Sequence, residues 1–343
     1  MFLNIQFRLI VTFLLTFSAL SQAQETGWKG PIPTQNQRPF QAAFLHFPAA
    51  SPEVLPRGQQ KLGFQLDIAN NLMIPNVGGN GARVEEDFET QRLSFSYRRG
   101  LKNDFEAEVA SSVVARNGGI LDGTISFYHQ LFGMDGNVED NPVGRDNRER
   151  GRSFFAFDDG NGRGLNRGSA FGLGDTAISL RKPISRGDLA SSARVGVKIP
   201  TGSDSKIFGS GSVDFGVMLD TRYRLSPEWA LFGSVGAAKF GDSDIPNAKK
   251  SGLQGGLGVE YRKSARESWV AQIDAQTRTV TTQNAFADKT PILASVGYKR
   301  QINENRTFWA SFSENGDYHK FKAPFFGNVG PDLTISLGFE IRH

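Results

Sequence analysis

The chain has 343 residues, no cysteine, 39 lysines and arginines against 35 acidic residues, and a formal net charge of +4. Without cysteine there is no disulfide, thiolate metal site, thiol nucleophile or cysteine-linked lipid anchor, and without a basic block nucleic acid is not an expected partner. A hydrophobic fraction of 38% excludes a bundle of membrane-spanning helices, but not a membrane β-barrel, whose alternating strands average out in hydropathy.

Residues 1–23 read as a secretory signal peptide. Arg8 supplies the positive charge, the run from Leu9 to Leu20 is apolar but too short to span, and Ser21-Gln22-Ala23 suits signal peptidase, with cleavage before Gln24. Residues 24–60 are not strand-like, because Pro31, Pro33, Pro39, Pro48, Pro52 and Pro56 interrupt them. Phe40, Phe44, Leu45 and Phe47 nevertheless make this segment apolar. Two readings compete: a periplasmic tail ahead of the barrel, or a plug inside its lumen. A solvated tail has no use for so many phenylalanines, which favours the plug.

From residue 61 to 343 the hydrophobic period is two. In 213–225, Val213, Phe215, Val217, Leu219, Tyr223 and Leu225 share one face, while Asp214, Asp220, Arg222 and Arg224 share the other. Segments of this kind fall at about 61–72, 88–98, 103–115, 172–182, 188–199, 213–225, 228–240, 252–263, 267–280, 291–302, 306–314 and 332–342. Short and long connections alternate between them. The pattern predicts an all-β fold: a transmembrane, antiparallel, up-and-down β-barrel of about twelve strands in the outer membrane of a Gram-negative bacterium, with its short turns in the periplasm. Tyr97, Phe105, Tyr223, Trp229, Tyr261, Trp269, Tyr298, Phe308 and Phe339 all have outward parity near short-turn ends, as an aromatic girdle against outer-membrane lipid requires. Inward parity falls to Asp67, Arg92, Glu106, Glu108, Asp175, Arg181, Arg194, Lys198, Asp214, Asp220, Arg222, Glu260, Asp274 and Arg278. These are lumen-lining candidates, either as a structural ion-pair network or as a ligand path.

The longest connection, 116–171, reads as an extracellular loop. Leu121, Ile125, Tyr128 and Phe132 recur at helical spacing behind Asp122, an N-cap residue, so the segment is a short amphipathic helix that either packs on the barrel rim or closes the pore, with Asp122, Tyr128, His129 and Phe132 as lid candidates. The stretch 137–167 is polar and glycine-rich and reads as mobile. Within it, Asp158-Asp159-Gly160-Asn161-Gly162 resembles part of a calcium loop but lacks the spaced ligands, so no metal and no cofactor is expected. The last strand carries Ser336, Gly338, Phe339 and Ile341, as a strand read by the outer-membrane assembly machinery should, although His343 replaces the terminal aromatic.

Several of these residues also carry a family resemblance. The run 30–40 (GPIPTQNQRPF), Leu55-Pro56-Arg57-Gly58, Leu66-Asp67-Ile68-Ala69-Asn70, Glu89-Thr90-Gln91-Arg92, Gly118-Gly119-Ile120-Leu121-Asp122-Gly123 and the Phe127, His129, Phe132, Gly133 cluster are similar to the DUF3187 family. Gly172-Leu173-Gly174-Asp175 and Lys198-Ile199-Pro200-Thr201-Gly202 resemble outer-membrane barrels of the MetA-pathway phenol-degradation type. The first resemblance implies an outer-membrane protein with no assigned activity; the second implies passage of small hydrophobic molecules. The expected function is a narrow channel or transporter for small molecules, not an enzyme. A lipid-modifying hydrolase built on Ser126 and His129 and a structural or adhesive barrel without transport are the alternatives, and the oligomeric state is left open.

Overall fold

The computed structural model describes residues 27–73, 81–121, 123, 127, 151–284, 287–314, 331 and 333–343. Residues 1–23, expected to be a signal peptide, and the lid candidates Asp122, Tyr128, His129 and Phe132 lie outside the described residues. Among the described residues, fifteen strands follow one another: β1 (Gln60–Met73), β2 (Arg83–Gly100), β3 (Glu106–Asn117), β4 (Phe154–Asp158), β5 (Gly164–Arg167), β6 (Ala170–Leu173), β7 (Thr176–Ser185), β8 (Leu189–Ile199), β9 (Asp214–Arg224), β10 (Trp229–Lys239), β11 (Ser251–Arg262), β12 (Glu267–Gln276), β13 (Ile292–Asn303), β14 (Arg306–Glu314) and β15 (Leu333–Arg342). Twelve of them form a closed antiparallel barrel, in which β1 pairs with both β2 and β15 and no edge is left open. The remaining three, β4, β5 and β6, build up the rim at the long-loop end.

Alternation along each strand sorts the side chains as the period-two pattern requires. On β11, Leu253, Leu257 and Tyr261 are exposed on the outer face, while Gln254 and Glu260 are buried on the inner one. Every large aliphatic group left outside a closed barrel needs an apolar solvent around it, which is the arrangement of a membrane barrel. The girdle aromatics fall into register across neighbouring strands. Trp229 pairs with Tyr261, Tyr261 with Trp269, and Trp269 with Tyr298. The ring centroids of Trp229 and Tyr261 are 4.7 Å apart, and those of Trp269 and Tyr298 are 5.1 Å apart. Phe308 and Phe339 pair on the far side of the closure.

The structure departs from the sequence expectation in three places. β2 begins at Arg83 and spans 18 residues, and its upper part pairs with β4 rather than ending at the rim. The stretch expected to be mobile contains the β4–β5 hairpin, because Phe155 and Phe157 turn inward and are buried. The calcium-loop fragment is the turn of that hairpin: Asp158 and Asp159 accept the Gly160 and Asn161 amides, and Gly160 and Gly162 supply the positive φ values. Finally, β12 stops at Gln276, so Arg278 lies in the following loop, where it donates to the Asp288 carbonyl, and not on the lumen wall.

Placing lipid against the outer face has a measurable consequence. Leu257→Arg, at a position 75% exposed on the outer face, should cost about 2–4 kcal/mol in a bilayer. Leu225→Arg, beside the girdle, should cost about 0–1 kcal/mol. Urea titration in phosphatidylcholine vesicles checks this depth dependence, and equal costs at the two positions would contradict it.

Candidate functional site

The segment ahead of β1 forms a hairpin inside the barrel. It enters at the short-turn end, where the Trp28 ring lies under the Arg262 guanidinium, and climbs past β11–β13. At the long-loop end it makes a single helical turn, α1 (Pro39–Ala42), with proline at the first helical position. It then descends past β7–β9 and rejoins the short-turn end at Gly58, whose amide meets the Gly100 carbonyl.

Wall side chains take up the main chain of this hairpin. On the ascending limb Glu260 accepts the Lys29 and Gly30 amides, both at 2.9 Å. Lys299 donates to the carbonyls of Pro31 (2.6 Å) and Lys29 (3.1 Å). Gln272 both accepts the Ile32 amide and donates to its carbonyl, Gln65 donates to Pro33, and Asp274 accepts the Thr34 hydroxyl at 2.6 Å. On the descending limb Asp214 accepts the Leu45 amide, Gln254 that of Phe47, Asp220 that of Ala50 and Glu106 that of Leu55. Arg194 and Arg181 donate to the carbonyls of Pro48 and Ser51. Arg222 pairs with Glu53 at 2.6 Å. Buried main-chain groups need partners, and here charged and amide side chains replace the missing neighbouring strand.

Packing complements these bonds. Gly196 and Gly216 are register partners on β8 and β9, and a Cβ at Gly216 would sit 2.9 Å from both Leu45 and Phe47. The bare wall at this height lets the descending limb lie against it. At the top, Phe40 meets Phe155 and Phe157 edge-on at 5.2 and 5.5 Å, and Phe44 meets Phe240 at 4.9 Å. With Phe88 these rings form an apolar dome over the tip. Beneath it Arg38 grips Glu86 through Nε and Nη2, as a bidentate pair with both side chains at most 4% exposed. Outside the dome, Asn247 and the Asn161 amide donate to Asp159 and hold its carboxyl below the usual carboxylate range.

The motifs that carry the family resemblance meet in space. Gln37 accepts the Arg92 Nε–H at 2.9 Å. Glu89 accepts the amides of Ile120 and Leu121, and Gly119 (φ +66°) has no room for a Cβ beside the Glu89 carboxylate. Asp175, in the break between β6 and β7, receives Lys198 Nζ at 2.5 Å and the Gly202 amide at 2.9 Å.

Of the lumen candidates, Glu106, Arg181, Arg194, Asp214, Asp220, Arg222, Glu260 and Asp274 touch the hairpin, and Arg92 touches its tip. Asp67 is held by Gln65 and Ser336, Asp175 and Lys198 hold a loop, and Glu108 faces open space. That space is a cavity of about 230 Å³ between the hairpin and the β1–β3 and β7–β8 wall, with Phe44, Leu45 and Phe47 on one side and Arg92, Arg98 and Glu108 on the other. Sequence reasoning missed Gln65, Gln254, Gln272 and Thr279, which serve the hairpin as the charges do; the inward parity of the three glutamines was the available signal.

The DUF3187 family, described as a protein of unknown function, matches residues 7–316, and the chain belongs to it. No curated protein sequence matches. Among solved structures, the chain is similar to the COG4313 outer membrane channel from Pseudomonas putida F1, at 11% identity and a TM-score of 0.55, covering 85% of this chain and 98% of that one. It is more distantly similar to the toluene transporter TbuX of Ralstonia pickettii, at 10% identity and a TM-score of 0.39, covering 84% and 90%. At these identities the likeness shows the outer-membrane barrel fold.

The Arg38–Glu86 pair tests what holds the tip. Arg38→Ala should weaken docking of the hairpin by about 3–5 kcal/mol, because it strands a buried carboxylate. Replacing both partners (R38M/E86L) should cost much less. Hydrogen exchange over 30–55 in the folded barrel reports the difference.

Proposed function

We propose that this DUF3187 protein is an outer-membrane channel for small molecules, closed at rest by its N-terminal hairpin. The observation that carries this reading is the way the lumen charges are used. They bind the hairpin main chain through one or two side-chain hydrogen bonds each, which water replaces when the hairpin leaves. A permanent core would be packed with apolar groups; this one is apolar at the tip and along the Leu45–Phe47 seat and polar over most of its length.

The short turns face the periplasm in this reading, so both ends of the hairpin lie on the periplasmic side and its tip seals the outer mouth. The apolar dome sets the cargo class. A small solute with hydrophobic surface competes with Phe40 and Phe44 for the same rings, whereas a fully hydrated ion gains nothing there. Between outer mouth and periplasm the solute passes the cavity beside the hairpin, where hydrophobic and charged surfaces face one another. The channel itself performs no chemistry in this reading.

A reversible lock tests the gate. The chain has no cysteine, and Thr34 Oγ1 donates to Asp274 Oδ2, so T34C/D274C places one thiol pair between hairpin and wall, to be closed by oxidation or by a short bis-thiol cross-linker cleaved by reductant. In planar bilayers or liposome-swelling assays with small aromatic solutes, the oxidised variant should be closed and the reduced one should recover flux. A variant lacking residues 27–57 should conduct constitutively. A barrel that stays closed without the hairpin, or equal flux with the lock shut and open, would reject the gate.

A further inference from the structure

We propose that the outer rim of the barrel at its short-turn end is a docking surface for phospholipid headgroups bearing a net negative charge. The inference rests on the membrane placement, not on transport. Three strands repeat one arrangement: a girdle ring, and two residues nearer the turn, on the same outward face, a cation. The pairs are Tyr97 with Arg99, Tyr298 with Arg300, and Phe308 with Arg306, and a fourth cation, Lys263, follows Tyr261 in the turn just past the end of β11. Two residues along a strand are about 6.8 Å, or roughly 5 Å along the barrel axis at a tilt near 45°. Aromatic rings settle at the level where acyl chains give way to headgroups, so each cation stands at the depth of the lipid phosphates.

The four cations are exposed, and the local carboxylates do not neutralise them. Among the described residues, Arg99 and Arg306 have no carboxylate within 4 Å. Lys263 and Arg300, 62% and 61% exposed, share the single Glu267, at 3.5 and 3.8 Å. Asp104 and Asp188, the acids of two neighbouring turns, are taken by Arg186 and Arg224. A fifth cation, Lys182, lies 4.8 Å over the girdle ring of Phe105. Arg57, Lys102 and Arg266 add exposed positive charge on the turns of the same end, against the exposed carboxylates of Glu228 and Glu304. The rim therefore presents a positive collar directly beyond its aromatic ring. A phosphate diester with no compensating ammonium, as in phosphatidylglycerol, fits it better than a zwitterionic headgroup does.

Trp229 and Trp269, 44% and 49% exposed at the girdle, report the lipid in contact with this rim, while Trp309 is buried inside the lumen and Trp28 is half-buried inside the short-turn mouth against Arg262. The test uses the full-length barrel in vesicles of phosphatidylcholine containing equal mole fractions of phosphatidylglycerol, with one or the other lipid brominated as quencher. Quenching by brominated phosphatidylglycerol should show a preference of about fivefold for each contacted headgroup, from the usual attraction of one basic side chain to an anionic surface. The preference should fall towards one in R99Q/K263Q/R300Q/R306Q, and in the unmutated protein on raising salt from 50 to 500 mM. No preference in the unmutated protein, or one that survives both the substitutions and the salt, would overturn the proposal. Absence of quenching by either lipid would reject the membrane placement as well. Equal quenching alongside measured solute flux would remove only the lipid site.

Discussion

Every amide and carbonyl taken out of water needs a partner, and a closed barrel has no spare strand edge to offer one. That constraint explains the lumen. A chain laid inside twelve paired strands can be received only by side chains reaching in from the wall. Carboxylates meet its amides; lysine, arginine and glutamine meet its carbonyls. Six prolines reduce the number of amides needing a partner and keep the segment from pairing with itself. The density of inward charge, unusual for a wall enclosing so little free space, follows from the main chain it surrounds.

The two ends of the hairpin are held by different physics. Near the short turns the contacts are hydrogen bonds and ion pairs, such as Glu260 with two successive amides and Glu53 with Arg222. Near the long loops they are ring contacts among Phe40, Phe44, Phe155, Phe157 and Phe240, together with one bidentate ion pair. Hydrophobic contact is non-directional, so the tip tolerates small displacements that the lower limbs do not. In the proposed channel, the more tolerant end is the one at the long-loop mouth.

Strand number, parity and turn alternation were legible in the sequence because each rests on local periodicity. Leu253, Leu257 and Tyr261 face outward for a reason written within nine residues. The path of the hairpin was not legible, since it is set by pairs such as Gly30 with Glu260 or Leu45 with Asp214, more than 150 residues apart. The β4–β5 hairpin was missed for a related reason. Its flanks are polar and glycine-rich, and Phe155 and Phe157 become core residues only once Phe40 is above the rim. Inward charges were read as ion pairs or a ligand path, and a third use, as surrogate strand partners, needs the segment in place before it becomes visible.

The segment enters and leaves through the same opening, so it is never threaded through the cylinder. Taking it out requires no strand to unzip and no chain end to be pulled through, and putting it back leaves no knot. In the proposed gate, the segment can therefore be seated after the cylinder has closed, with no strand pair broken.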